Sequence, residues 1–284
     1  MDRAQRTRAG RIAVALRARM RWQGLACLLE AGSRGQVAAP PAALERSLRW
    51  SWRTAPVRVS CKMVALGILL AMVGLAHAAT INVTTTRDEL TRNAVCSLRE
   101  AVLSANTDSA VGGCAAGSGR DTIVLASGQT YTLSLDATAG NEDRAAEDDL
   151  DISSDITIQG NGAMAERSTA VACTLDDVGA VGEFRIFDVH AGGNLTLQDL
   201  TVNNGCADGG SAPDRDGGGI LNEGTVTITG STFSQNLAFS GGGIFNEGTV
   251  TIANNTLSRN SAGFGGGIFN NGRVTIHNTR SLSE

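Results

Sequence analysis

The chain is poor in the residues on which most recognisable enzyme chemistry depends. It has three histidines in 284 residues, His77, His190 and His277, and no serine or cysteine is arranged with them as a nucleophile and base would be. Its six cysteines contain no C-x-x-C spacing, which argues against a structural zinc site. The Gly-x-Gly strings lack the strand-to-helix context that phosphate binding needs. All three tryptophans and three of the four prolines lie before Val57, so the rest of the chain is nearly free of both. The C-terminal third shows no helical periodicity, and no apolar run there suggests a hydrophobic sorting tail.

Charge divides the chain where composition does. Residues 1–62 carry a net charge of +10, whereas residues 63–284 carry −14. Such asymmetry points to different fates for the two parts. An apolar run from Val64 to Ala76 ends in Ala76-His77-Ala78, a small-residue cleavage pattern. This reads as the core of a secretory signal peptide over 63–78, too short for the ~20 apolar residues of a membrane span. The basic extension 1–62 then precedes the signal, which suggests a start nearer Val57, with Arg58 and Lys62 as the charged flank. A real basic cytoplasmic extension is the alternative. No cysteine follows the apolar run, so a lipid anchor gains no support. The exported part, from Ala79, is expected in an oxidising compartment, secreted or on a bacterial surface. At −14 it is a poor partner for nucleic acid.

What the tail has in abundance is repetition. Gly217-Gly218-Gly219-Ile220, Gly241-Gly242-Gly243-Ile244 and Gly265-Gly266-Gly267-Ile268 open three units of 24 residues, and the first two agree at 15 of 24 positions. Thr225-Val226-Thr227-Ile228 and its equivalents alternate polar and apolar, the period of a half-buried strand. Turn-forming Asn222-Glu223-Gly224, Asn246-Glu247-Gly248 and Asn270-Asn271-Gly272 follow each glycine-led segment. A fixed period of this length, with short strands and no helix, predicts a stacked all-β architecture, a right-handed parallel β-helix. Leucine-rich repeats have similar length, but their leucine and asparagine framework is absent. Coils would lie ~4.8 Å apart. Ile220, Ile244 and Ile268 would form an aliphatic ladder and Asn222, Asn246 and Asn270 an amide ladder, with Phe245 on Phe269 beside them. The less regular strands expected over 121–216 would fill earlier coils, six or seven in all.

Residues 79–120 read as a small strand-and-helix cap. Ser97 and Glu100 suit a capping box, and Leu98, Ala101, Val102 and Ala105 fall on one helical face. Four cysteines follow the cleavage site. Three pairings are open, of which Cys96–Cys114 and Cys173–Cys206 keep each pair within one region.

Cys96-Ser97-Leu98-Arg99-Glu100-Ala101 resembles the string for which the CSLREA domain, an exported bacterial module, is named. Ala105-Asn106, Cys114, Asp121-Thr122-Ile123-Val124-Leu125 and Gly128-Gln129-Thr130-Tyr131-Thr132-Leu133 also look like that family. The tail is similar to the repeats of polymorphic outer membrane proteins, which combine a GGA-aliphatic signature with F-x-x-N. Phe233-Ser234-Gln235-Asn236 matches the second element; Gly219, Gly243 and Gly267 replace the alanine of the first, and Leu257 replaces the phenylalanine. These resemblances imply a surface-exposed, adhesin-like β-helix that binds a glycan or a protein, with no cofactor and no catalytic residue to carry over. The membrane barrel of the outer-membrane relatives is not in this sequence, and Leu282 falls one place out of register with Leu257. A stack that stops mid-coil is expected to be truncated or to associate end to end.

Pectin lyase-like β-helices also house polysaccharide lyases, which makes the acidic residues candidates for catalysis. Glu142, Asp143, Glu147, Asp148, Asp149, Asp151 and Asp155 cluster in sequence, with Asp176-Asp177 and Asp214-Arg215-Asp216 further on. A Ca²⁺-dependent uronate lyase would use Asp149 and Asp151 for the metal and Arg185 as the base. A solvated acidic loop is the plainer reading. The Gly-His-Gly of glycoside hydrolases with this fold is absent.

Overall fold

The computed structural model describes residues 78–135, 145–176, 180–209 and 212–282. The basic extension, the apolar run with His77, and Glu142, Asp143 and Asp177 lie outside the described residues. No described helix is long and apolar enough to cross a membrane.

Among the described residues, one helix and nineteen strands follow in order. The cap holds β1 (Thr80–Asn82) and helix α1 (Leu98–Thr107). Then come β2 (Arg120–Val124), β3 (Thr130–Leu133), β4 (Leu150–Ile152), β5 (Asp155–Arg167), β6 (Phe187–Val189), β7 (Asn194–Asn203) and β8 (Cys206–Ala207). The first repeat contributes β9 (Ile220–Asn222), β10 (Thr225–Thr229), β11 (Thr232–Ser234) and β12 (Leu237–Ser240). The second contributes β13 (Ile244–Asn246), β14 (Thr249–Ala253), β15 (Thr256–Ser258) and β16 (Ser261–Phe264). The third contributes β17 (Ile268–Asn270), β18 (Arg273–His277) and β19 (Arg280–Leu282).

The architecture is all-β, and every pairing among the described strands is parallel. The main sheet runs β1-β2-β5-β7-β10-β14-β18, with β3, β11, β15 and β19 extending it sideways. A second sheet runs β17-β13-β9-β6-β4 and a third β16-β12-β8. Each complete repeat thus contributes to all three sheets. Identical positions lie opposite one another: Ile220, Ile244 and Ile268 share one register column, and Val226, Val250 and Val274 another. Alternation decides which side is buried. Val226, Ile228, Val250 and Ile252 are fully buried, while the threonines between them face outward. In the third repeat, Val274 is 36% and Ile276 50% exposed at the same inward phase. Ser281 stands opposite Leu257, and Leu282 points out beside it.

Two backbone demands explain the glycine triplets. Gly217, Gly241 and Gly265 have φ of 71°, 65° and 64°, a left-handed conformation that disfavours other residues. A Cβ on Gly218 would stand 2.5 Å from the Leu237 carbonyl oxygen, inside van der Waals contact. Asn222 donates to Asn246 at 2.6 Å and Asn246 to Asn270 at 2.7 Å, each amide satisfying the next. The ring of Phe245 stacks on that of Phe269, centroids 5.2 Å apart and planes nearly parallel.

Before the repeats, the spacing loosens. Thr122, Thr157, Thr196 and Thr227 are register neighbours, although the sequence steps between them are uneven and all longer than one repeat. Less regular coils are expected over that stretch, and the steps lengthen because excursions such as the one between β5 and β6 enter the connections between strands. The Cys173–Cys206 disulfide ties that excursion back to β8.

Candidate functional site

The ionisable side chains that the fold brings together lie where β4 and β6 pair beside the cap. Leu150-Asp151-Ile152 lies in register with Phe187-Asp188-Val189. The apolar residues of both segments are fully buried, and Asp151 and Asp188 become neighbours with 1% and 5% exposure. Asp149 precedes β4, Arg185 precedes β6 and His190 follows it.

Arg185 sits between two carboxylates. Its Nη1 lies 2.5 Å from Asp188 Oδ2 and 3.5 Å from Asp149 Oδ2, while Nη2 donates to the Pro213 carbonyl at 2.9 Å. Asp151 accepts from the Ala145 amide through Oδ2 and lies 2.6 Å from His190 Nε2 through Oδ1. Asp149 is 1% exposed, and neither of its carboxylate oxygens has a hydrogen bond.

Burial governs protonation here. It pushes the Asp149 carboxyl well above the usual range; Arg185 opposes the shift, and Asp188, Asp151 and Asp148 reinforce it. Burial likewise raises Asp151 to about 6, against the hydrogen bond from His190. For Arg185, burial disfavours the charge, but Asp188, Asp149 and Asp214 outweigh it and raise the guanidinium above its ordinary value. Arg185 therefore holds its proton and is 2% exposed, two properties that a base abstracting a substrate proton cannot have.

The cap builds this cluster from behind. Arg99 is fully buried in α1, and Asp88 engages it through both carboxylate oxygens at 2.7 and 3.1 Å. Its remaining donors reach the carbonyls of Ala145, Glu147, Asp148 and Asp149 at 2.7–3.3 Å. One guanidinium thus holds the whole turn that leads into β4. Asn106, on the same helix, donates to the Asp151 carbonyl at 2.7 Å and accepts from the Ser153 amide at 3.0 Å. The helix is itself locked. Ser97 accepts from the Glu100 amide, Glu100 Oε2 accepts from the Ser97 amide and Oε1 from Thr91, and a Cys96–Cys114 disulfide closes the module. Every polar residue of the Ser97-Leu98-Arg99-Glu100 string has a structural partner.

The other acids named from sequence do not join the cluster. Asp155 pairs with exposed Arg120 on the outer face of the main sheet. Asp208 accepts from the Asp176 amide near the second disulfide, and Asp176, Glu183 and Asp208 form a separate acidic group there. Asp216 bridges to Ser240, and burial raises its pKa. Arg215 lies over the Phe239 ring at 4.1 Å.

Sequence reasoning named Asp149, Asp151 and Arg185 but missed Asp188, His190 and Arg99. Asp188 had a signal: Leu-Asp-Ile and Phe-Asp-Val share one pattern. The role of Arg99 at the cluster had none, because the carbonyls it holds there lie 46–50 residues away. Asp151, Asp188 and His190 offer donor atoms mutually within 4.8 Å, the spacing of a metal site. Those donors are already engaged, Asp151 by His190 and Ala145 and Asp188 by Arg185. The arrangement is suited to fixing a turn and taking up protons.

No family model, curated protein or solved structure matches this chain.

Proposed function

We propose that the chain is an exported bacterial surface protein of CSLREA type, with cleavage after Ala78 releasing the part that begins at Ala79. In this reading residues 121–284 form a right-handed parallel β-helix capped by residues 79–120. Its role is structural or adhesive: an elongated, repeated surface that engages a surface glycan or protein. The observation that carries the reading is the contrast between an open, regular exterior and a sealed ionic cluster. Repeated columns face solvent across the main sheet, whereas Asp149, Asp151 and Arg185 are 1–2% exposed, Asp149 beside Arg185 and Asp151 against His190. Two disulfides suit an oxidising compartment.

The uronate lyase reading is weaker, because its base would be a buried arginine held in its charged form by two aspartates. The test is expression of the full chain in a bacterium, followed by fractionation and assay of the product. The proposal expects a surface or extracellular product beginning at Ala79 that adheres to cells or glycans and leaves polygalacturonate intact with Ca²⁺ present. Unsaturated uronate products that disappear in Asp149→Ala or Asp151→Ala would overturn it, as would retention in the cytosol.

A further inference from the structure

The outer face of the main sheet carries a feature that strand propensity alone does not explain. Thr80, Thr122, Thr157, Thr196, Thr227, Thr251 and Thr275 occupy one unbroken register column across seven strands. Neighbours stand one strand spacing, ~4.8 Å, apart. β-branched residues favour strands, so a threonine column is not in itself a site.

Its surroundings say more. Thr196, Thr227 and Thr251 are flanked on one side by Asn194, Thr225 and Thr249. On the other side stand Gln198, Thr229 and Ala253. This patch spans three strands without one charged or aromatic side chain, on a chain that is 18% charged. Exposed surfaces ordinarily intersperse both signs. Charge returns at the patch's limits: at Asp155 and Arg273 along the columns, at Asp199 beside Gln198 in β7, and at Glu223 and Glu247 in the adjoining turns. The hydroxyls of Thr196, Thr227 and Thr251 and the amide of Gln198 make no side-chain hydrogen bond to any described residue. The central hydroxyls and the Gln198 amide are unengaged, Asn194 donates to Asp155 at 3.2 Å, and four carboxylates and Arg273 stand at the limits of the patch.

We infer that this face binds an extended, neutral polysaccharide. The inference rests on the adhesive reading and names the ligand class. A polymer of hydroxyl-bearing units supplies donors and acceptors at regular intervals, matching the face in chemistry and in repetition. Asp155 is paired with Arg120, but Asp199, Glu223 and Glu247 outnumber Arg273 around the patch, a net negative surround that repels uronates and sulfated glycans. Without aromatic platforms each contact is weak, so retention depends on several units engaging at once. Ice is also neutral and periodic, but the mixed side columns of Asn, Thr, Gln and Ala suit vicinal hydroxyls better than a uniform lattice.

The experiment is sedimentation of the full, disulfide-bonded chain with cellulose, chitin and insoluble β-1,3-glucan, with polygalacturonate gel as the anionic comparison. Retention is expected on at least one neutral polymer and not on polygalacturonate. Thr227→Glu with Thr251→Glu should weaken that retention at least about tenfold at unchanged circular dichroism. Glu223→Gln with Glu247→Gln should preserve it. Should the glutamate variants misfold, hydroxyl-radical footprinting of the unmodified chain on the retaining polymer replaces them, and protection is expected at 225–229 and 249–253. Failure to bind any neutral polymer, retention unaffected by the double glutamate variant, or arrest of ice growth without polysaccharide binding would overturn the inference. Cell adhesion persisting alongside such failure would leave the adhesive reading standing.

Discussion

The repeats after Gly217 and the strands beside the cap use opposite means to hold parallel strands together. In the repeats, like meets like. Isoleucine lies over isoleucine, an amide bonds the amide above it, and no described residue of 217–282 forms a buried ion pair. Beside the cap, unlike groups meet. One arginine reads four carbonyls, a second divides two aspartates, and an asparagine joins helix to strand. The difference follows from what each part can rely on. A repeated unit meets a copy of itself, so one solution serves every junction. The first coils meet a helix, and a helix and a sheet edge do not match group for group. Buried polar networks supply that match and tolerate no missing member.

The sharpest way to break this comparison is Arg99→Ala. It removes a guanidinium that serves Asp88 and four carbonyls, leaving a buried carboxylate without its counter-charge. A loss of about 3–5 kcal/mol is expected by denaturant titration, with melting of the 145–151 turn. A loss under about 1 kcal/mol would mean that the cap merely covers the stack.

A smaller effect separates the two regions by pH. Asp149 and Asp151 have pKa values raised by burial, Asp151 to about 6. A carboxyl with a folded pKa above its unfolded value binds its proton more tightly when folded. Its contribution is therefore complete below about pH 4 and lost as pH rises, through about 6 for Asp151, with Asp149 shifted in the same direction. Melting temperature should rise by a few degrees between pH 7 and pH 5, and Asp149→Asn should raise the pH 7 value and flatten the profile. A melting temperature that falls over that interval would contradict the assignment.

Within the repeats, position along the ladder should matter more than residue type. Asn246→Ala breaks bonds to both neighbours in a fully buried site, with an expected loss of about 1–3 kcal/mol. Asn270→Ala, at an exposed position, should cost less than about 1 kcal/mol. Equal effects would show that the amides act singly.

The same contrast decides what sequence could reveal. Parallel stacking was readable in the tail because each position recurs at a constant interval and meets its own copy, as Ile220, Ile244 and Ile268 do. Between Thr122 and Thr227 the strands were readable from alternation, but not their pairing distances, because connecting excursions vary freely. The capping box was readable because Ser97 and Glu100 are near neighbours in the chain. The cluster was readable only in part. Asp149 and Asp151 stand out as acids, but their burial depends on Arg99 and Arg185, and contacts between segments so distant in the chain leave no local pattern.

The central claim is that the 24-residue units are interchangeable layers of one parallel stack. Deleting residues 241–264 tests it directly, since Ser240 would then join Gly265 with every column still in register. The shortened chain should keep both disulfides, unfold in one cooperative transition and melt within several degrees of the parent. Loss of cooperative unfolding, or of the β-sheet circular dichroism signal, would contradict the account.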